Sequence, residues 1–126
     1  MNIIDSSGWL EYFADGPNAS FFSRPLAKTS DLVVPSITIY EVFKVVLHQR
    51  GESDALQAAA LMQQGAVVDL SAEIAILAAK VSIEYRLPMA DSIILATSRV
   101  HGAVLWTQDS DFAQIDGVQY VAKRNG

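Results

Sequence analysis

The sequence predicts an α/β fold with a parallel sheet covered by helices on both faces. Two observations carry this reading. Apolar blocks of strand length alternate with helical stretches, and strands separated by helices imply parallel pairing. No repeat, low-complexity segment or linker divides the 126 residues, of which 51% are hydrophobic and 18% charged. One domain, residues 1–126, with a sizeable core is expected.

The elements follow in order. Met1–Ile4 reads as the first strand and ends at Asp5. Ser6-Ser7-Gly8 leads into a short helix, Trp9–Ala14, closed by Asp15-Gly16-Pro17. A second helix starts at Ala19, and Pro25 should kink or end it. Leu32-Val33-Val34 is a strand stopped by Pro35. Ser36 opens a helix to about His48, with Gly51 beyond its end. Glu52–Gln64 is Ala-rich and helical, and Val67-Val68 lies in a third strand. Ser71 opens a helix to about Tyr85, and Pro88 fits the first turn of one that ends near His101-Gly102. Val104-Leu105-Trp106 and Val118–Val121 complete the strands.

Composition removes several chemistries. There is no cysteine, so disulfides and thiolate metal sites are excluded. His48 and His101 are too few for a His-rich zinc centre. The start Met1-Asn2-Ile3-Ile4-Asp5 lacks a basic stretch followed by a long apolar segment, so no signal peptide is expected. No apolar run has membrane-spanning length, and a cytoplasmic location is expected. The net charge of −5 counts against an ordinary nucleic-acid binder, which is usually basic. It counts less if acids cluster around divalent cations.

Four acids stand near strand ends or in apolar helical surroundings. Asp5 follows the first strand, and Asp109 follows the fourth after Thr107-Gln108. In open α/β sheets, ligands bind beyond the carboxyl ends of the strands, where strand order reverses. If the first and fourth strands are neighbours, Asp5 and Asp109 share one crevice. Glu41 sits in a helix that is apolar nearly all round, which reads as largely buried. Glu41 then is a costly carboxylate in need of a cation or strong donor, or else the partner of Lys44 three residues on. Asp91 has Leu87, Ile94 and Leu95 at −4, +3 and +4. It can also be read as a first-turn acid favoured by the helix dipole. Asp5, Asp109 and Asp111 can likewise be read as turn and cap residues.

Four segments together resemble a PIN domain, in particular the VapC toxins of bacterial and archaeal toxin–antitoxin pairs. They are Ile3-Ile4-Asp5-Ser6-Ser7, Tyr40-Glu41-Val42, Leu87 through Thr97 around Asp91, and Leu105-Trp106-Thr107-Gln108-Asp109-Ser110-Asp111-Phe112. They stand in the family's order across nearly the whole chain, and the third is the most specific. The resemblance implies a three-layer α/β/α fold with a five-stranded parallel sheet. It implies an Mg²⁺- or Mn²⁺-dependent endoribonuclease, a homodimer and an antitoxin partner. Carried over by position, Asp5, Glu41, Asp91 and Asp109 form the expected catalytic, metal-holding quartet, with Asp111 as an outer member. Thr107 and Ser6 are similar to the hydroxyl residues that support such acids.

In this reading Asp5 and Asp91 hold the main metal, and Glu41 and Asp109 are partner ligands or water-positioners. Lys44, Arg86 and Arg99 are candidates for contact with the RNA backbone. Trp9, Tyr12, Phe13, Phe21 and Phe22 are candidates for an antitoxin-gripping surface, although core packing is the better expectation for most. Rival readings are a PIN-like domain that binds without cutting, and a receiver-type signalling domain. The receiver needs paired acids after the first strand and a Lys after the fifth. Asp5 is instead followed by Ser6-Ser7, and the fifth strand leads only to Ala122-Lys123-Arg124 in a tail expected to fray. A haloacid dehalogenase-type phosphohydrolase needs an acid at position 7, which is Ser.

Overall fold

The computed structural model describes residues 1–125. Five parallel strands and six helices alternate: β1 (Asn2–Ile4), α1 (Ser6–Phe13), α2 (Ala19–Leu26), β2 (Val33–Pro35), α3 (Ser36–Arg50), α4 (Glu52–Met62), β3 (Ala66–Val68), α5 (Ala72–Tyr85), α6 (Met89–Val100), β4 (Val104–Thr107) and β5 (Val118–Tyr120). The ladders join β1-β4-β5 in one sheet and β2-β3 in another. The expected single five-stranded sheet is therefore not formed. β1 and β2 lie side by side but pair through a single bridge, Asn2 with Leu32, among the described residues. Strands of three or four residues leave little ladder once they twist apart, and Pro35 has no N–H to donate.

Alternation along each strand builds a core on either side. Ile4, Leu32 and Val34 pack with Trp9, Phe22, Val42, Ala55 and Met62 from α1 to α4. Ile3, Val33 and Leu105 pack with Val81, Ile94, Leu95 and Phe112 on the opposite face, under α5 and α6. Strand residues one position apart thus feed different cores, as period-two geometry requires.

Two helices differ from their sequence expectation. α1 starts at Ser6 rather than Trp9, because the Asp5 side chain caps it by accepting the Gly8 N–H. Gly8 is fixed by lack of space: a Cβ there would lie 2.5 Å from Phe22 and 2.6 Å from Ile4. α3 is not buried all round. Thr38, Val42 and Val46 face inward, whereas Tyr40 is 58% and Leu47 43% exposed. A continuous buried stretch runs through α6 instead, from Ser92 to Ser98. Its small side chains allow close packing. The Ser92, Thr97 and Ser98 hydroxyls donate to carbonyls of Pro88, Ile93 and Leu95, which satisfies them without solvent. Among the described residues, no helix is long and apolar enough to cross a membrane.

Candidate metal and active site

β1 and β4 are parallel neighbours, with Ile4 opposite Trp106. Their carboxyl ends therefore deliver Asp5 and the Thr107-Gln108-Asp109 segment to one place. With β2 on the far side of β1 and β5 on the far side of β4, strand order reverses here, the position where such sheets bind ligands.

Asp5 is buried and fully engaged. Its carboxylate accepts hydrogen bonds from the Thr107 hydroxyl, the Ser7 hydroxyl at 2.8 Å and the Gly8 N–H at 2.8 Å. Burial nevertheless lifts its pKa to about 6, because desolvation outweighs these donors, and the nearby Asp109 charge adds to the rise. Thr107 is a two-sided link. It donates to Asp5 and accepts the Asp109 N–H at 2.9 Å, which sets the two acids relative to each other. Glu41 is half-buried and accepts from the Ser6 hydroxyl at 2.6 Å. It does not pair with Lys44, whose ammonium lies over the Tyr40 ring.

Asp91, Asp109 and Asp111 form a second arrangement. Each offers a carboxylate oxygen within 4.8 Å of the others. Asp91 stands in the first turn of α6, so it is the first-turn acid and a cluster member at once. Its pKa rises to about 7, first through desolvation and then through repulsion from Asp109, Asp5, Glu41 and Asp111. Asp109 accepts the Asp111 N–H at 2.9 Å and thereby caps a single 3₁₀ turn, Ser110–Phe112, anchored by buried Phe112. Among the described residues, the one ion pair lies elsewhere, between Lys28 and Asp31. Crowded carboxylates with no cationic partner are a hard-oxygen donor set that fits Mg²⁺ or Mn²⁺.

The charges of Asp5, Glu41, Asp109 and Asp111 all act on Asp91, so the five sequence-derived acids converge. Asp91, Asp109 and Asp111 share the compact cluster. Asp5 and Glu41 lie outside it yet close enough for their charges to act on Asp91. Lys44, Arg86 and Arg99 form no ion pair with these acids; Arg99 is bonded to the Tyr85 hydroxyl. Of the five aromatic candidates for partner contact, Trp9 and Phe22 are core residues. Sequence reading missed Ser7, Asn18 and Gln108. Ser7 could have been found from its place two residues after an Asp cap. Asn18 and Gln108 are buried polar side chains that meet across the fold, and no local pattern signals that meeting.

No curated protein matches the chain. Solved structures do. A toxin–antitoxin complex from Klebsiella pneumoniae aligns with 26% identity over 94% of this chain and 96% of that one, at a TM-score of 0.78. The sarcin–ricin loop cleaving toxin VapC20 of Mycobacterium tuberculosis aligns with 19% identity over 92% and 95%, at 0.77. DNA-bound VapBC from Salmonella typhimurium aligns with 17% identity over 97% and 98%, at 0.74. The sequence model of the PIN domain family covers residues 3–118, a span that runs from β1 to the start of β5 and includes all five acids. Matched over nearly its whole length, the chain belongs to the PIN domain family.

Proposed function

We propose that the protein is a metal-dependent endoribonuclease, the toxin of a toxin–antitoxin pair, acting in the cytoplasm. The observation that carries this is the cluster of Asp91, Asp109 and Asp111 oxygens within 4.8 Å of one another, with no Lys, Arg or His paired to them among the described residues. Asp5 and Asp91 are the ligands proposed for the main Mg²⁺ or Mn²⁺, with Glu41 and Asp109 as partner ligands or water-positioners and Asp111 as an outer member; Asp91, Asp109 and Asp111 form the compact part of this set. Bound there, the cation would activate water and steady the leaving oxygen of a phosphodiester. The chain's own part is positional. Thr107 holds Asp5 and the Asp109 backbone together, and Ser6 orients Glu41. His48 and His101 are exposed and outside the cluster, so proton handling falls to carboxylates and bound water.

The relatives described as toxin–antitoxin complexes support an antitoxin partner. A groove of about 630 Å³ between α1, α3 and α4 supports it too, because it reaches Ser7 and Gln108, the neighbours of the acids. A homodimer is the proposed assembly, supported by the open apolar side chains of Tyr40 and Leu70 beside a hollow lined by Ile37 and Val68. Light scattering on a sizing column tests it.

The deciding experiment incubates purified, antitoxin-free protein with a mixed RNA pool in Mg²⁺, in Mn²⁺ and in chelator, beside Asp91→Asn. Cleavage that requires both the metal and Asp91 is expected. Folded protein that cuts equally well in chelator, or with Asp91 replaced, overturns the reading.

A further inference from the structure

We propose that Asn18 and Arg124 form a clasp that positions the Thr107-Gln108-Asp109 segment, which makes both of them positioning residues for a site neither touches. The inference rests on the reading of that site as a metal centre. Asn18 is fully buried at the residue before α2, where Asn commonly caps a helix, yet its side chain caps nothing. Its Nδ2 instead donates to Gln108 Oε1 and to the Ala122 carbonyl, each at 3.0 Å. Its Oδ1 accepts from Arg124 Nε at 2.9 Å, and Arg124 Nη2 donates to the Pro17 carbonyl at 2.8 Å.

The loop is shaped to aim this amide. Glu11 lies against Gly16 so closely that a Cβ there would sit 2.3 Å from a carboxylate oxygen, and its other oxygen accepts the Asn18 N–H at 2.8 Å. On the far side, Gln108 sits between Thr107 and Asp109 and reaches the Ser7 carbonyl at 3.5 Å. The Val121 N–H donates to the Thr107 carbonyl, so the tail runs beside the end of β4 before Arg124 locks it. The tail expected to fray is thus tied to the interior. Groups that share a cation must be held to within about 0.5 Å of productive geometry. Asn18 supplies part of that constraint, since both its N–H groups are used and removing it leaves Gln108 Oε1 buried without that donor.

The test compares wild type, Asn18→Ala, Arg124→Ala and the core control Met62→Ala. Two readouts are used: amide hydrogen exchange in metal-free protein, and Mn²⁺ binding followed by electron paramagnetic resonance. Asn18→Ala should bind Mn²⁺ about tenfold more weakly, the lower end of what a lost supporting partner costs a metal site. Its Asp109 amide should also exchange faster, with Arg124→Ala intermediate in both. Met62→Ala lowers the melting temperature without touching the clasp and should alter neither. Folded Asn18→Ala with wild-type exchange at Asp109 and wild-type Mn²⁺ affinity overturns the inference, as does a Met62→Ala control that reproduces both changes. Should Asn18→Ala not fold, Arg124→Ala decides by the same readouts. If wild type binds no Mn²⁺, the metal reading falls, while exchange at Asp109 still decides the clasp.

Discussion

The acid site has two halves built on different terms. In one half, the chain satisfies its own carboxylates: Asp5 has donors from Thr107, Ser7 and Gly8, and Glu41 has Ser6. In the other, Asp91, Asp109 and Asp111 crowd together, and among the described residues only Asp109 receives a protein donor, the Asp111 N–H. The first half is a frame of hydrogen bonds, although its donors do not offset the burial of Asp5. The second is an electrostatic deficit that a divalent cation would neutralise. The difference teaches that equal charge does not mean equal roles: neutralising Asp5 or Glu41 weakens hydrogen bonds as well as relieving repulsion, whereas neutralising Asp91 chiefly relieves repulsion.

The largest expected effect separates the halves directly. Asp91→Asn should lower metal-dependent RNA cleavage by about two to four orders of magnitude, the range seen when an essential charged or proton-handling group is lost. The same change should raise the melting temperature of the metal-free protein at pH 7.5, because it removes one crowded charge. Asp5→Asn should also abolish cleavage without a comparable gain in stability. Its amide would turn an N–H toward Thr107 Oγ1, which already accepts the Asp109 N–H. Equal stabilisation by both substitutions would erase the distinction.

Next in size is the Thr107 hydroxyl, the one group that spans both halves. Thr107→Val keeps the shape and removes the bonds to Asp5 and to the Asp109 N–H. A loss of about 1.5–3 kcal/mol in denaturant unfolding is expected, since one partner is charged and buried. Thr107→Ser should recover most of it.

The raised pKa values give a pH dependence of definite sign. Asp5 at about 6 and Asp91 at about 7 both lie above their ordinary value of 3.8. The folded state therefore holds protons that the unfolded chain has released. Their contribution to stability is fully present below about pH 4 and is lost as pH rises through 6 and then 7. Metal-free protein should melt lower at pH 8 than at pH 5.5, measured by calorimetry in chelator. Mn²⁺ should flatten this slope, and Asp91→Asn should remove its upper part. A slope that Mn²⁺ leaves unchanged would count against a cation at the cluster.

Much of this was legible in the sequence for a physical reason. Strand alternation and the placing of Asp5 and Asp109 just after strands are local patterns, and parallel topology converts them into proximity. Burial was less legible. α3 looked buried because its residues are apolar, but Tyr40 and Leu47 face outward. In α6 the polar Ser92, Thr97 and Ser98 are buried because their hydroxyls bond carbonyls of the preceding turn, which their polarity alone does not report. The division of the strands into two ladders was not legible, since ladder length depends on strand twist that composition does not report. The Asn18 clasp joins positions 90 and 106 residues apart and leaves no local trace.

The smallest expected effect tests whether the frame tunes activity or only holds shape. Ser6→Ala removes the donor to half-buried Glu41 while leaving the Asp5 cap of α1 intact. The stability change should stay within about 0.5–1.5 kcal/mol, because solvent can partly replace the lost donor. If Glu41 acts only as a fixed negative charge near Asp91, cleavage should fall no more than severalfold, since the charge remains. If its orientation matters to bound water or cation, cleavage should fall as far as in Glu41→Gln. Comparing the two variants at saturating Mn²⁺ therefore assigns Glu41 either to the frame or to the working half, and a fall in Ser6→Ala that matches Glu41→Gln would move the boundary between them.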